Sequence, residues 1–173
     1  MQLAITLVFV ATMAVALASD VRTAKIPNSL VLGGLLAALV LRGSAGWEAA
    51  GLALLGAGLA LVVTVPLFAI GALGGGDAKL FAVVGAFMGP RDFLLALLAS
   101  AAVGGVLGVA YAVRRGVIVA VLLGCKDLLV WGLSGGRRGA RVTLDSPGAV
   151  AIPYGAAIAI GSVAVWFLFV NAS

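Results

Sequence analysis

Long apolar runs broken by short charged clusters constrain this chain more than any other feature. The first run extends from Leu3 to Ala18 and stops at Asp20 and Arg22. Later runs follow the same plan, each closed by a turn or a few charges. Of the 173 residues, 64% are hydrophobic and 10% charged, against about 45–50% and about 25% in a soluble domain. A barrel would show alternating segments of about 10 residues, and these runs are longer and do not alternate. The pattern predicts an all-α, polytopic membrane protein whose first partner is the lipid bilayer.

Composition then narrows the chemistry. The sequence has no His and one Cys, Cys125. That leaves too few ligands for a zinc site, removes Ser-His and Cys-His nucleophilic catalysis, and rules out a disulfide within the chain. No metal or cofactor is expected. The acids are Asp20, Glu48, Asp77, Asp92, Asp127 and Asp145, so acid–base chemistry falls largely to these. The formal charge of +5 is read as topology, because basic residues collect on the cytoplasmic side. No basic patch is interleaved with aromatics, so no nucleic-acid partner is expected.

Charge placement orders the spans. Arg22 and Lys25 follow the first run and no basic residue precedes it. This places the N-terminus outside and argues against a cleaved signal peptide, despite the small residues Ala16-Leu17-Ala18. Six transmembrane helices are expected, at about 3–19, 28–41, 49–70, 77–88, 93–113 and 148–170, in one integral-membrane domain over 1–173. Pro27 suits a helix start, Pro66 a kink, Gly89-Pro90-Arg91-Asp92 an outer turn, and Trp47 an interfacial anchor. The stretch 117–133 tempts a seventh span but holds Lys126 and Asp127. With six spans, nine basic residues fall inside and only Arg42 and Arg91 outside; a seventh would leave five on each side and Lys126 in the bilayer. The expectation is therefore a cytoplasmic amphipathic helix over 117–133, with both termini outside. The GxxxG spacings Gly85/Gly89 and Gly104/Gly108 read as close helix packing.

Within this topology Asp20 and Asp77 share the cytoplasmic boundary. Asp77 follows Gly74-Gly75-Gly76 and opens the fourth helix. Singly, Asp20 could be a solvated loop acid and Asp77 a helix cap. As a pair they could do more. Two carboxylates sharing a site do not both ionise easily, so one keeps its proton and the other can take a proton from water. That is the chemistry of aspartic proteases. The glycines would let a substrate strand approach the backbone; they match neither a dinucleotide fingerprint nor a P-loop. Of the other acids, Glu48 and Asp92 are read as solvated loop charges, Asp127 as a solvated charge on the surface helix, and Asp145 as a cap or anchor.

Three blocks carry a resemblance: Asp20 with Ile26-Pro27-Asn28; the run Gly74-Gly75-Gly76-Asp77-Ala78-Lys79-Leu80 on to Gly85 and Gly89, which looks like GxGDxKLxAxxGxxxG; and Ile152-Pro153-Tyr154-Gly155. Together they resemble the type IV prepilin peptidases, a branch of the GxGD membrane aspartyl proteases. The resemblance implies a bacterial inner-membrane enzyme. It would remove the short basic leader of prepilins or pseudopilins at the cytoplasmic face, with Asp20 and Asp77 as the catalytic pair. Larger members carry an N-terminal region with paired CxxC motifs, associated with methylation of the new pilin N-terminus. This chain starts directly in its first span, so cleavage without methylation is expected, as in the short members that serve Flp-type pili. The resemblance assigns Lys79 no role; it could bind substrate with Gly74, Gly75 and Gly76, or anchor at the headgroups. Rival readings are a GxGD protease with other membrane substrates, a non-catalytic pilus or secretion assembly factor, and a transporter. The last is disfavoured because both acids lie at one face rather than near the midplane.

Overall fold

A computed structural model describes residues 1–116 and 154–170, together with Lys126. All regular structure among these residues is helical: α1 (Gln2–Thr23), α2 (Asn28–Gly43), α3 (Trp47–Ala69), α4 (Gly75–Met88), α5 (Pro90–Arg114) and α6 (Tyr154–Val165), the last continued by a π-helical turn, Trp166–Val170. Helices α1, α3 and α5 are long and apolar enough to cross a membrane; α2 and Tyr154–Val170 are shorter apolar helices. At about 1.5 Å per residue, the 16 residues of α2 reach about 24 Å, short of a hydrocarbon core of about 30 Å. The expected surface helix at 117–133 lies outside the described residues except for Lys126, which is helical and exposed.

Helix α4 is the centre of the bundle. Every residue from Leu80 to Met88 is buried, as befits a helix that is apolar all round. It packs against α2, α3, α5 and α6. Helix α3 shows the opposite pattern. Its buried stripe is Ala53, Gly56, Ala60 and Thr64, while Leu52, Leu54, Leu55 and Val62 face outward. Small residues inside and large apolar residues outside suit a helix bathed in lipid, where close backbone approach drives association. Gly56 and Gly85 meet backbone to backbone, and a Cβ on either would collide with the other's main chain. The packing expected of Gly85 is therefore seen. Gly104 likewise lies under the Tyr154 ring.

The helix ends explain themselves locally. Helix α1 stops at Ala24, whose φ of 49° turns the chain into the left-handed region, its N–H bonded to the Asp20 carbonyl at 2.8 Å. Asp20 thus lies in the last turn of α1, not in the following loop as expected. Helix α4 begins two residues before Asp77, with Gly74 as its N-cap. Gly89, at φ 82°, both ends α4 and caps α5, and Pro90 opens α5 directly. The expected four-residue turn is one glycine, because Pro at the first helical position is already set for helix. Pro66 sits near the end of α3.

The end of the bundle at Gly89 is closed by side chains. Arg42 donates from Nε and Nη2 to the Phe87 carbonyl at 3.0 and 2.6 Å, satisfying an acceptor left over at the C-terminus of α4. Phe9 lies between Phe87 and Trp166, with centroids 5.3 and 4.7 Å away. The Trp166 Nε1–H donates to Thr6 Oγ1 at 3.2 Å.

Candidate active site

The opposite end collects the polar residues singled out from the sequence. Asp20 comes from the last turn of α1, Asp77 from the first turn of α4, and Tyr154 opens α6. Asp20 is only 6% exposed. Burial of a carboxylate needs compensation, and α6 supplies part of it: the Ala156 N–H donates to Asp20 Oδ2 at 3.2 Å. Free N–H groups and the positive end of the helix dipole both favour an anion at a helix start.

Gly155 makes this contact possible. A Cβ at that position would lie 2.8 Å from Asp20 Oδ2 and 2.9 Å from its Cγ. Gly155 and Ala156 are therefore the seat of Asp20, a role that sequence reasoning did not assign to them. The signal was present in the third block, but its partner lies 136 residues away.

Asp77 is half-buried. It occupies the third position of α4 and its carboxylate accepts a hydrogen bond from the Gly74 backbone, in the manner of the acidic member of a capping box. Gly74 must lack a side chain here, since a Cβ would lie 2.7 Å from Asp77 Oδ2. The capping role weighed for Asp77 is thus realised in modified form, with Gly74 as the cap and Asp77 reaching back to it. Capping does not isolate Asp77 from its surroundings. It lies within the electrostatic field of Asp20, and Tyr154 in turn lies within the field of Asp77. The fold brings both predicted acids to one place, with the phenol beside them.

The other glycines are also accounted for by neighbours. The open face of Gly75 meets the Phe68 ring at 3.2 Å, and that of Gly76 meets Ile26 at 3.4 Å. Packing thus gives each of these two glycines a role, while both remain partly exposed. Lys79 is exposed, and its Nζ donates to Asn28 Oδ1 at 3.0 Å, so the first two sequence blocks touch. Among the described residues, no group of three or more Cys, Asp or Glu could hold a metal ion.

Fold and site together define a helical membrane protein with two acidic side chains set at one end of its bundle. A model of the type IV leader peptidase family matches residues 7–109, which is more than half the chain and includes Asp20, Gly74 to Asp77, and Lys79. The chain belongs to the type IV leader peptidase family and is a protease of that kind. Neither the curated proteins nor the solved structures compared with the chain include a match.

Proposed function

We propose that the protein is an aspartic endopeptidase that removes the basic leader of type IV prepilins or pseudopilins, with Asp20 and Asp77 as its catalytic pair. The observation that carries this reading is the placement of both acids at one end of the bundle, with Asp77 in the field of Asp20. Water lies between them and the scissile carbonyl. The ionised carboxylate takes a proton from water as its oxygen attacks the carbonyl carbon. The protonated carboxyl donates to the carbonyl oxygen and then, with proton return, to the leaving amine as the C–N bond breaks. No metal or cofactor enters the scheme.

The six-span arrangement, with the acids on the cytoplasmic side of the bacterial inner membrane, belongs to the same proposal. It is supported by the clustering of Arg22, Lys25, Lys79, Arg114 and Arg115 near the helix ends on the Asp20 side and by the preference of basic residues for the cytoplasm. The glycine loop is the proposed approach for the leader, since Gly74, Gly75 and Gly76 remain partly exposed. A Flp-type pilin is the first substrate to try.

Co-expression with candidate prepilins, followed by mass measurement of the pilin N-terminus, tests the proposal. Loss of the leader is the expected result. Intact leaders on every Flp-type, type IV and pseudopilin substrate would overturn it in favour of other membrane substrates.

A further inference from the structure

The segment between α1 and α2 is bound on both sides. Toward α1, Ser19 Oγ donates to the Lys25 carbonyl at 2.8 Å. Thr23 Oγ1 lies 2.8 Å from the Ser19 carbonyl and 3.2 Å from the Lys25 carbonyl. Toward α4, Ile26 packs on the open face of Gly76 and Asn28 accepts from Lys79. These contacts form one continuous path. It starts beside Asp20 at Ser19, runs through Lys25, Ile26 and Asn28, and ends at Lys79, two residues beyond Asp77.

We propose that Lys79 and Asn28 are positioning residues whose hydrogen bond closes a brace, holding the α1 turn that carries Asp20 against the α4 turn that carries Asp77. The inference rests on the catalytic pair proposed above. Each acid stands on a helix end, and helix ends are where a bundle yields most easily. Two acids that must share one water need a fixed separation, and misplacement by about 1 Å can cost about 10²-fold in rate. The Ile26–Gly76 contact sets the depth of the brace. The Lys79–Asn28 bond sets its outer edge, where a long side chain reaches across. Lys79 thus acts through the geometry of the pair and does not hold substrate.

Two measurements on the full-length protein in lipid nanodiscs test this. The first is amide hydrogen exchange at Ala24, Leu30 and Val31, whose N–H groups are bonded at this turn; it needs no substrate. Lys79→Met and Asn28→Ala should each speed exchange in this segment by a similar factor, and the double variant no further, since both remove one interaction. Unchanged exchange in Lys79→Met would overturn the brace whatever the enzyme cuts.

The second is prepilin cleavage. Both single variants should lower kcat by about 10-fold to 10²-fold with little change in KM, and Lys79→Arg, which keeps a donor, should restore most of the rate. A raised KM for Lys79→Met alone, with Asn28→Ala unaffected, would overturn the positioning role and assign Lys79 to substrate. Should the wild-type protein cut no prepilin while exchange behaves as described, the catalytic reading fails and the brace stands as a structural contact.

Discussion

The two ends of the bundle handle polar groups in opposite ways. At the Gly89 end, polarity is retired. Arg42 spends two donors on one backbone carbonyl, a single glycine makes the turn, and aromatic rings fill the interior beneath it. At the Asp20 end, two acids are drawn inward and held by backbone N–H groups. The nearby cation, Lys79, binds Asn28 and leaves the acids to each other. One end minimises unsatisfied charge; the other keeps it, at a cost that structure alone does not repay. Buried acids of that kind are candidates for chemistry as well as for packing.

The largest effect that can break this contrast is at the acids themselves. Asp20→Asn and Asp77→Asn are nearly isosteric, so the bundle should melt close to the wild-type temperature while cleavage falls by about 10²-fold to 10⁴-fold or more. If the acids were structural instead, melting would shift and cleavage would follow it. The same pair should give a rate that falls on both the acid and the alkaline side of its optimum, because one group must be ionised and the other protonated; a flat pH–rate profile would argue against shared acid–base work.

Gly155→Val comes next. Its side chain would drive into Asp20, so cleavage should drop by about 10-fold or more, through displacement of the acid. Helix content measured by circular dichroism should remain. At the quiet end, Arg42→Met should leave cleavage intact but lower stability by about 1–3 kcal/mol, because a buried carbonyl loses a charged donor; thermal melts in detergent would show it. The smallest effect should come from Gly58→Ala, whose added Cβ meets nothing within 4 Å, with stability unchanged within about 0.5 kcal/mol.

Much of this contrast was legible in the sequence. Apolar runs located the helices, and the absence of His left carboxylates as candidates. Glycine spacing marked the tight approach at Gly85. What stayed hidden depends on contacts between distant residues. Nothing in the local pattern of Gly155-Ala156 says that it seats Asp20, and the Lys79–Asn28 bond crosses 51 positions. Helix ends were also misread where capping chemistry extends them. Thr23 and Ala24 carry α1 past Asp20, and Gly74 starts α4 before Asp77. Span counting met a physical limit as well: α4 is only 14 residues long and is buried among neighbouring helices.

The central claim is that Asp20 and Asp77 act as one unit. Its most direct test is prepilin cleavage by Asp20→Asn, Asp77→Asn and the double variant, all purified in the same lipid and shown to be folded. Residues that work as a unit are non-additive, so each single variant should fall to the residual rate of the double. Full activity in either single variant would contradict the account.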